Sequence, residues 1–124
     1  MSEERKVQLP SGREVDVAEG LRFCYDLSET DTQILIELLR GGEYSVDELA
    51  SKLGLSKATV NRSLNKLVEL GFVNRRREKR EGVGRPKFKY FVEDASRVIR
   101  RIESDIDACA AEFKKRIRAL LGTG

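Results

Sequence analysis

Residues 45–71 hold two short helical patterns that are separated by a turn of only three residues. Ser45 with Glu48 fits a capping box that begins the first helix, and Gly54 is a typical helix stop. Ser56 is a favoured N-cap for the second helix. Because two helices joined by so short a turn containing Gly are held at an angle to each other, the stretch predicts a helix-turn-helix.

A further helical pattern precedes this pair, and an alternating pattern follows it. Thr30 with Gln33 fits a capping box, and apolar residues then recur at helical spacing until Gly41. After the pair, Phe72-Val73 leads into a basic run, residues 82–86 form a break that contains Gly and Pro, and residues 87–92 alternate, which together predict a β-hairpin. We therefore expect a mainly α fold with a small β-hairpin (α+β), in the form of a winged helix-turn-helix over residues 28–93.

The N-terminal arm, residues 1–27, gives weaker signals. Alternating residues around Pro10 to Gly12 predict a short hairpin with its turn at that point. Residues 18–27 fit either a short helix that carries four side chains into the core or an extended lead-in. The four side chains are Leu21, Phe23, Cys24 and Leu27.

Residues 94–124 follow one long amphipathic pattern. Apolar residues recur every three or four positions from residue 95 to 121, which predicts a single helix. Such a helix spans about 40 Å at about 1.5 Å per residue. It is longer than is needed to cover the apolar surface of the helix-turn-helix. We therefore expect a homodimer with this stripe at its interface: Val98, Ile102, Ile106, Cys109, Phe113, Ile117 and Leu120.

The composition argues against catalysis. The chain contains no histidine, which removes the commonest general base and the commonest metal ligand. No glycine-rich phosphate loop or paired-carboxylate arrangement takes its place in the sequence. We expect no enzyme activity, no cofactor and no metal site.

Membrane and disulfide signals are also weak. The chain has no apolar run of about 18 residues, and its N-terminus lacks the apolar core of a signal peptide, so we expect a cytoplasmic protein. Cys24 and Cys109 lie far apart and outside any C-x-x-C pattern, so neither a zinc site nor a disulfide is predicted. Each is expected to be a small apolar filler, and a redox switch through Cys109 across a dimer axis is the alternative. Five Asn and Gln among 124 residues favour a thermophilic source.

Positive charge is concentrated in one third of the chain. Residues 52–92 carry twelve Lys and Arg against three Glu, an excess of nine, although the whole chain carries only +3. So strong a bias is typical of a face that meets a polyanion. We expect double-stranded DNA as the partner.

The second helix of the pair offers a face for reading bases. Val60, Leu64 and Leu67 fall on one side of this helix and are expected to face the core. The opposite side is suited to a major groove, where Arg pairs with guanine and Asn with adenine. The candidate DNA contacts on this helix are Ser56, Lys57, Ala58, Thr59, Asn61, Arg62, Asn65 and Lys66.

The hairpin after this helix is expected to lie beside the duplex as a wing. Its cations supply charge to backbone phosphates, and only some of them can face DNA because strand neighbours alternate sides. Arg85, between Gly84 and Pro86 at the tip, is expected in the minor groove. The candidate contacts on the hairpin are Arg75, Arg77, Lys79, Arg80, Arg85 and Lys87.

Residues 24–75, CYDLSETDTQILIELLRGGEYSVDELASKLGLSKATVNRSLNKLVELGFVNR, with the strand GRPKFKYF, resemble the archaeal TrmB-like and bacterial MarR-like winged-helix regulators. The resemblance covers about residues 24–92. It implies that Ser56 to Lys66 is a recognition helix, that the wing contacts flanking DNA, and that the protein is a dimeric transcriptional regulator. TrmB-type sugar regulators carry a large C-terminal effector domain, whereas this chain ends about thirty residues after the wing. The resemblance is therefore to the DNA-binding domain only, and sugar sensing is not expected.

These observations favour a sequence-specific, dimeric DNA-binding transcriptional regulator that reads a two-fold symmetric site. Two alternatives use the same residues: a winged-helix protein-interaction module in a transcription assembly, and a low-specificity chromatin-type DNA binder. The concentrated positive charge argues against the first alternative. The ratio of affinities for one site and for random duplex separates the second from a specific regulator.

Overall fold

The computed structural model describes residues 3–78 and 87–122, which divide into two compact units. One unit combines the chain up to Leu27 with the chain from Ser96 onward, and the other runs from Ser28 to Ala95. In chain order the elements are a 3-10 turn Glu3–Arg5, β1 Lys6–Gln8, β2 Glu14–Asp16, α1 Ala18–Tyr25, α2 Glu29–Leu39, α3 Val46–Leu53, α4 Lys57–Glu69, β3 Asn74–Glu78, β4 Lys87–Phe91 and α5 Ala95–Leu120. The predicted fold class, mainly α with a small hairpin, is confirmed.

Helices α3 and α4 begin and end as the sequence predicts. Ser45 and Glu48 form a reciprocal capping box at the start of α3, and Gly54 ends that helix with a left-handed backbone (φ 68°). The Ser56 hydroxyl caps α4 by accepting a hydrogen bond from the Thr59 N–H at 3.1 Å. These caps satisfy backbone groups that have no partner inside the helices. They also fix the short turn of the helix-turn-helix.

Helix α2 begins two residues earlier than predicted. Ser28 is its N-cap, because the Ser28 hydroxyl accepts from the Asp31 N–H (3.0 Å) and the Asp31 carboxylate accepts from the Ser28 N–H (2.9 Å). The predicted capping box of Thr30 and Gln33 is wrong. Gln33 is exposed, whereas the buried Asp31 carboxylate also accepts a hydrogen bond from Ser63 of α4. A partner distant in sequence therefore favours the earlier start.

The core of the second unit lies around α4. Helix α4 packs against α2 and α3, and β4 packs against the same two helices. Val60, Leu64 and Leu67 are fully buried, so the predicted core face of α4 is confirmed. The unit's apolar side chains that are at most 3% exposed are Ile34, Leu35, Leu38, Leu49, Val60, Leu64, Leu67, Phe72, Val73 and Tyr90.

The strands β3 and β4 form the predicted antiparallel hairpin after α4, with Asn74 opposite Phe91 and Glu78 opposite Lys87. Tyr44, in the loop between α2 and α3, extends this pairing. Its N–H donates to the Tyr90 carbonyl (3.0 Å) and its carbonyl accepts from the Tyr90 N–H (2.8 Å). The hairpin is therefore fastened to the helical part through backbone hydrogen bonds. The predicted turn at residues 82–86 lies outside the described residues.

The N-terminal part of the first unit contains the predicted hairpin, in which β1 pairs with β2 and Gly12 has a positive φ of 94°. Arg5 binds Asp16 through two hydrogen bonds of 2.9 and 2.8 Å. These bonds lower the pKa of Asp16. Residues 18–27 were expected to form either a short helix or an extended lead-in, and the structure shows the helix, α1. The expectation that Phe23 enters the core is wrong, since 67% of its surface is exposed.

Helix α5, predicted from residue 95 to 121, runs from Ala95 to Leu120 and is tied to α1 by a disulfide. Cys24 and Cys109 form this bond within one chain, so the expectation that both are apolar fillers without a disulfide is wrong. The alternative of a switch through Cys109 across a dimer axis fails for this state, because the Cys109 sulfur is bonded to Cys24. The two cysteines, whose sequence separation is 85, are brought together only by the fold, which no local spacing shows.

Two further contacts join α1 to α5. The Tyr25 hydroxyl donates to the Asp105 carboxylate at 2.6 Å, and the ring centroids of Phe23 and Phe113 lie 4.9 Å apart. Burial and the hydrogen bond to Asp105 both raise the pKa of Tyr25, so its hydroxyl stays protonated and able to donate. In the described part of the chain, no helix combines the length and the apolarity that crossing a membrane requires.

Reduction of the disulfide is expected to destabilise the protein. Closing a loop of 85 residues removes entropy from the unfolded chain, and the loss of such a bond typically costs about 2–4 kcal/mol. For a chain of this size the melting temperature should fall by about 10 °C. Thermal melts with and without a thiol reductant measure this change.

The control is the Cys24→Ser/Cys109→Ser variant, which should melt like the reduced protein whether or not reductant is present. An unchanged melting temperature on reduction of the wild-type chain would show that the disulfide contributes nothing to stability.

Candidate nucleic-acid interface

Helix α4 presents a polar face opposite its buried apolar side. Asn61, Arg62 and Asn65 are exposed on this face. Their side chains form no hydrogen bond or ion pair with any described residue. The amide and guanidinium groups are therefore available for bidentate hydrogen bonds to bases.

The first turn of α4 is already engaged in local contacts. The Ser56 hydroxyl donates to the Thr59 hydroxyl (2.8 Å), and the Lys57 ammonium lies 3.4 Å from the Asp47 carboxylate. Ser56, Lys57 and Ala58 are exposed, whereas Thr59 is half-buried. The first backbone N–H groups of a helix have no intrahelical acceptor and suit an anion. This end of α4 is therefore suited to contact with a phosphate.

A buried polar cluster links α4 to α2. The Asp31 carboxylate of α2 accepts hydrogen bonds from the Ser63 hydroxyl and the Ser28 N–H, and one of its oxygens lies 3.6 Å from the Lys66 ammonium. Burial alone would raise the pKa of Asp31, but the hydrogen bonds from Ser63 and Ser28 outweigh it, so the pKa is lowered. The carboxylate is therefore charged at neutral pH.

The hairpin carries its cations on two faces. Arg76 and Lys89 are opposite each other on one face. There the Arg76 guanidinium lies 2.7 Å from the Glu43 carboxylate, and Lys89 pairs with Glu48 of α3. Hydrogen bonds from Lys89 and the Ser45 N–H lower the pKa of Glu48 to about 2. Arg76 and Lys89 therefore both have an acidic partner.

The other face holds Arg75 and Arg77 with Phe88. The Arg75 guanidinium lies 4.6 Å from the centroid of the Phe88 ring, a cation–π geometry. Arg77 is directly opposite Phe88, is exposed, and has no partner among the described residues. Lys87 is exposed at the start of β4. The remaining wing candidates, Lys79, Arg80 and Arg85, lie outside the described residues.

The predicted interface stripe of α5 differs in exposure along its length. Val98 is buried, Ile102 and Cys109 are half-buried, and the exposed fraction then rises towards the C-terminus. Ile106 is 37%, Phe113 47%, Ile117 53% and Leu120 84% exposed. Phe23 of α1 stacks on Phe113 and adds to this exposed apolar surface.

The profile of the family described as "Sugar-specific transcriptional regulator TrmB" matches residues 21–96, more than half of this chain. The chain belongs to the TrmB family. The match covers α2 to α4 and the whole hairpin, so the resemblance that the sequence indicates is confirmed. Membership makes the chain a DNA-binding transcriptional regulator.

Relatives of this TrmB-family chain occur in archaea. An uncharacterised protein of Methanocaldococcus jannaschii is 34% identical over 95 residues, which are 77% of this chain and 78% of the relative. A solved structure of a possible transcriptional regulator from Methanosarcina mazei has a TM-score of 0.77 and 19% identity, covering 92% of this chain and 95% of that one. The ST1889 protein of the thermoacidophilic archaeon Sulfolobus tokodaii has a TM-score of 0.68 and 30% identity, covering 81% and 93%.

Sequence reasoning missed the acidic partners of the hairpin cations. Glu43 and Glu48 lie far from the wing in sequence, so nothing local predicts that they pair with its cations. Asp31 was overlooked because Thr30 with Gln33 offered a competing capping box. Among the described residues, no group of three or more His, Cys, Asp or Glu is placed to hold a metal ion.

Asp31 gives stability in a defined pH range. Its folded-state pKa is lowered, so its contribution is fully present above the unfolded value of about 3.9 and is lost as the pH falls through the folded value. We expect Asp31→Asn to lower the free energy of unfolding at pH 7 by about 1–2 kcal/mol. Urea unfolding of both proteins between pH 7 and pH 2 measures this.

The difference between the two proteins should be constant down to about pH 4 and shrink below it. Asp47→Asn is the control, because Asp47 forms only an exposed pair with Lys57 and should change stability little. A difference that is the same at pH 2 and pH 7 would contradict the assignment.

Proposed function

We propose that the chain binds specific DNA sites, with α4 as the recognition helix in the major groove and the β3–β4 hairpin as a wing on the flanking backbone. The observation that carries this proposal is that Asn61, Arg62 and Asn65, on the side of α4 opposite its core, are exposed and have no side-chain partner among the described residues. Side chains without intramolecular hydrogen bonds do not have to break any when they bind bases. Membership of a transcriptional regulator family supports the same reading.

The wing and the ends of α4 would supply affinity without sequence information. On the helix, Ser56, Lys57, Ala58 and Thr59 stand at its start, where backbone N–H groups can meet phosphate. On the wing, the described cations without an acidic partner among the described residues are Arg75, Arg77 and Lys87. On the basis of the sequence alone, the proposal also includes Lys79, Arg80 and Arg85.

We further propose that the chain acts as a homodimer through the exposed part of the α5 stripe. Ile106, Phe113, Ile117 and Leu120, with Phe23 beside them, expose large apolar side chains in a continuous row, which is typical of an interaction surface. A symmetric dimer would read two half-sites about 34–36 Å apart, one turn of the double helix. The target would then be a two-fold symmetric site.

A role on genomic DNA places the protein in the cytoplasm. The disulfide agrees with that placement if the source is a hyperthermophile, because intracellular proteins of hyperthermophilic archaea are rich in disulfides. The scarcity of Asn and Gln points to the same kind of source. We infer no catalytic role, because regulators of this family act by binding.

The first test measures DNA affinity by fluorescence anisotropy across stepped salt concentrations. Arg77→Ala should reduce the slope of log affinity against log salt by about 0.9, the value for one phosphate contact. Arg76→Ala is the matched control, since Arg76 is paired with Glu43 and should change the slope less. Arg62→Ala should lower affinity for a selected site by about tenfold or more and affinity for random duplex much less.

Three results would contradict the proposal. Equal affinity for a selected site and for random duplex indicates a low-specificity binder. Absence of binding to any duplex at low salt indicates a protein-interaction module. Equal slope changes for Arg76→Ala and Arg77→Ala would show that the acidic partners do not select which wing cations meet DNA.

The dimer is tested by sedimentation equilibrium. Ile117→Glu/Leu120→Glu places two charges on the exposed row and should convert the protein to a monomer, because an unpaired charge in an apolar interface is strongly unfavourable. Ala108→Glu/Ala111→Glu adds the same charge to exposed positions off that row and should leave the dimer intact. A wild-type protein that is monomeric at micromolar concentration, or a dimer that survives both variants, rules out this interface.

A further inference from the structure

The Asp31 carboxylate contacts α4 at two points. Its Oδ1 accepts the Ser63 hydroxyl, and its Oδ2 accepts the Ser28 N–H and lies 3.6 Å from the Lys66 ammonium. Ser63 and Lys66 are three residues apart and therefore lie on the same side of the helix. Asp31 is 6% exposed and Ser63 is 3% exposed, so these contacts are largely shielded from water.

Two contacts along one side of a helix resist its rotation about its own axis. A rotation of about 20° moves a side-chain tip about 6 Å from the axis by about 2 Å. Such a shift exceeds the range over which a hydrogen bond to a base edge survives. Such a rotation would therefore displace the exposed side chains of Asn61, Arg62 and Asn65 from the bases that they are proposed to read.

The same carboxylate offsets a positive charge on the proposed DNA-binding helix. A positive charge that lies within 4 Å of a mostly buried negative charge attracts a distant anion less strongly than an isolated positive charge does. Lys66 therefore differs from Arg62, which has no acidic partner among the described residues. The sequence alone had placed both among the DNA contacts.

We propose that Asp31 is a positioning residue for base reading: it fixes the rotation of α4 through Ser63 and keeps the charge of Lys66 from DNA phosphates. The proposal rests on the proposed function of α4 as the recognition helix. It predicts that Asp31 increases the preference for one site over random DNA while it reduces attraction to DNA in general.

The test uses the full chain and four proteins: wild type, Asp31→Asn, Lys66→Gln and the double variant. Affinity is measured on random duplex and on a duplex selected by the wild type from a random pool, across stepped salt, with the folded fraction followed by circular dichroism. Lys66→Gln should leave the salt slope unchanged. Asp31→Asn should steepen it by up to about 0.9, because the variant removes the negative charge beside Lys66.

Asp31→Asn should also lower the ratio of affinities for the selected and random duplexes by about tenfold, the size of one misplaced bidentate contact. The double variant should keep this loss of preference, while its salt slope should return to the wild-type value. A salt slope that recovers while the affinity ratio stays low indicates a positioning role. A loss of folded protein would instead weaken binding to both duplexes alike.

Several results overturn the proposal. A slope that falls by about 0.9 in Lys66→Gln would make Lys66 a phosphate contact, and this variant decides the charge role even if Asp31→Asn folds poorly. Equal loss on both duplexes in Asp31→Asn would show a structural role only. If the wild type binds random duplex but selects no preferred site, base reading fails while DNA binding stands. If the wild type binds no duplex, the proposed function fails as well.

Discussion

The burial of one side of α4 determines what the rest of its unit can do. Val60, Leu64 and Leu67 lie fully buried against α2 and α3, and each such side chain contributes about 1.5–3 kcal/mol relative to an exposed one. Once these three positions are fixed, helical geometry leaves Asn61, Arg62 and Asn65 exposed together. The polar face of the helix is therefore a consequence of its apolar one.

Charge pairing then selects among the cations of this unit. The count of nine excess positive charges in residues 52–92 does not distinguish one Lys or Arg from another. In the structure, Arg76 and Lys89 pair with Glu43 and Glu48, whereas Arg77 has no partner among the described residues. Exposed ion pairs contribute little to stability, so their main physical effect is on the local field that a polyanion meets. An acidic residue that is distant in sequence can in this way shape a basic surface.

The sequence predicted most elements because their signals are local. Capping boxes, glycine stops and a change of period each lie within a few residues, which is why α3, α4, the wing strands and α5 were found. The start of α2 was missed because two local capping boxes compete, and the contact of Asp31 with Ser63, 32 residues away, is not visible in either. The disulfide depends on a fold that brings Cys24 to Cys109, and no window of a few residues contains that pair.

The two units differ in how much apolar surface they bury. Among the described residues, the buried apolar side chains of the first unit are Leu21, Leu27 and Val98, whereas the second unit has a much larger set. A small core needs a covalent or intermolecular supplement to be stable. The disulfide is a covalent supplement, and the proposed dimer along α5 would be an intermolecular one. The second unit, which has the larger core, depends on neither of these supplements.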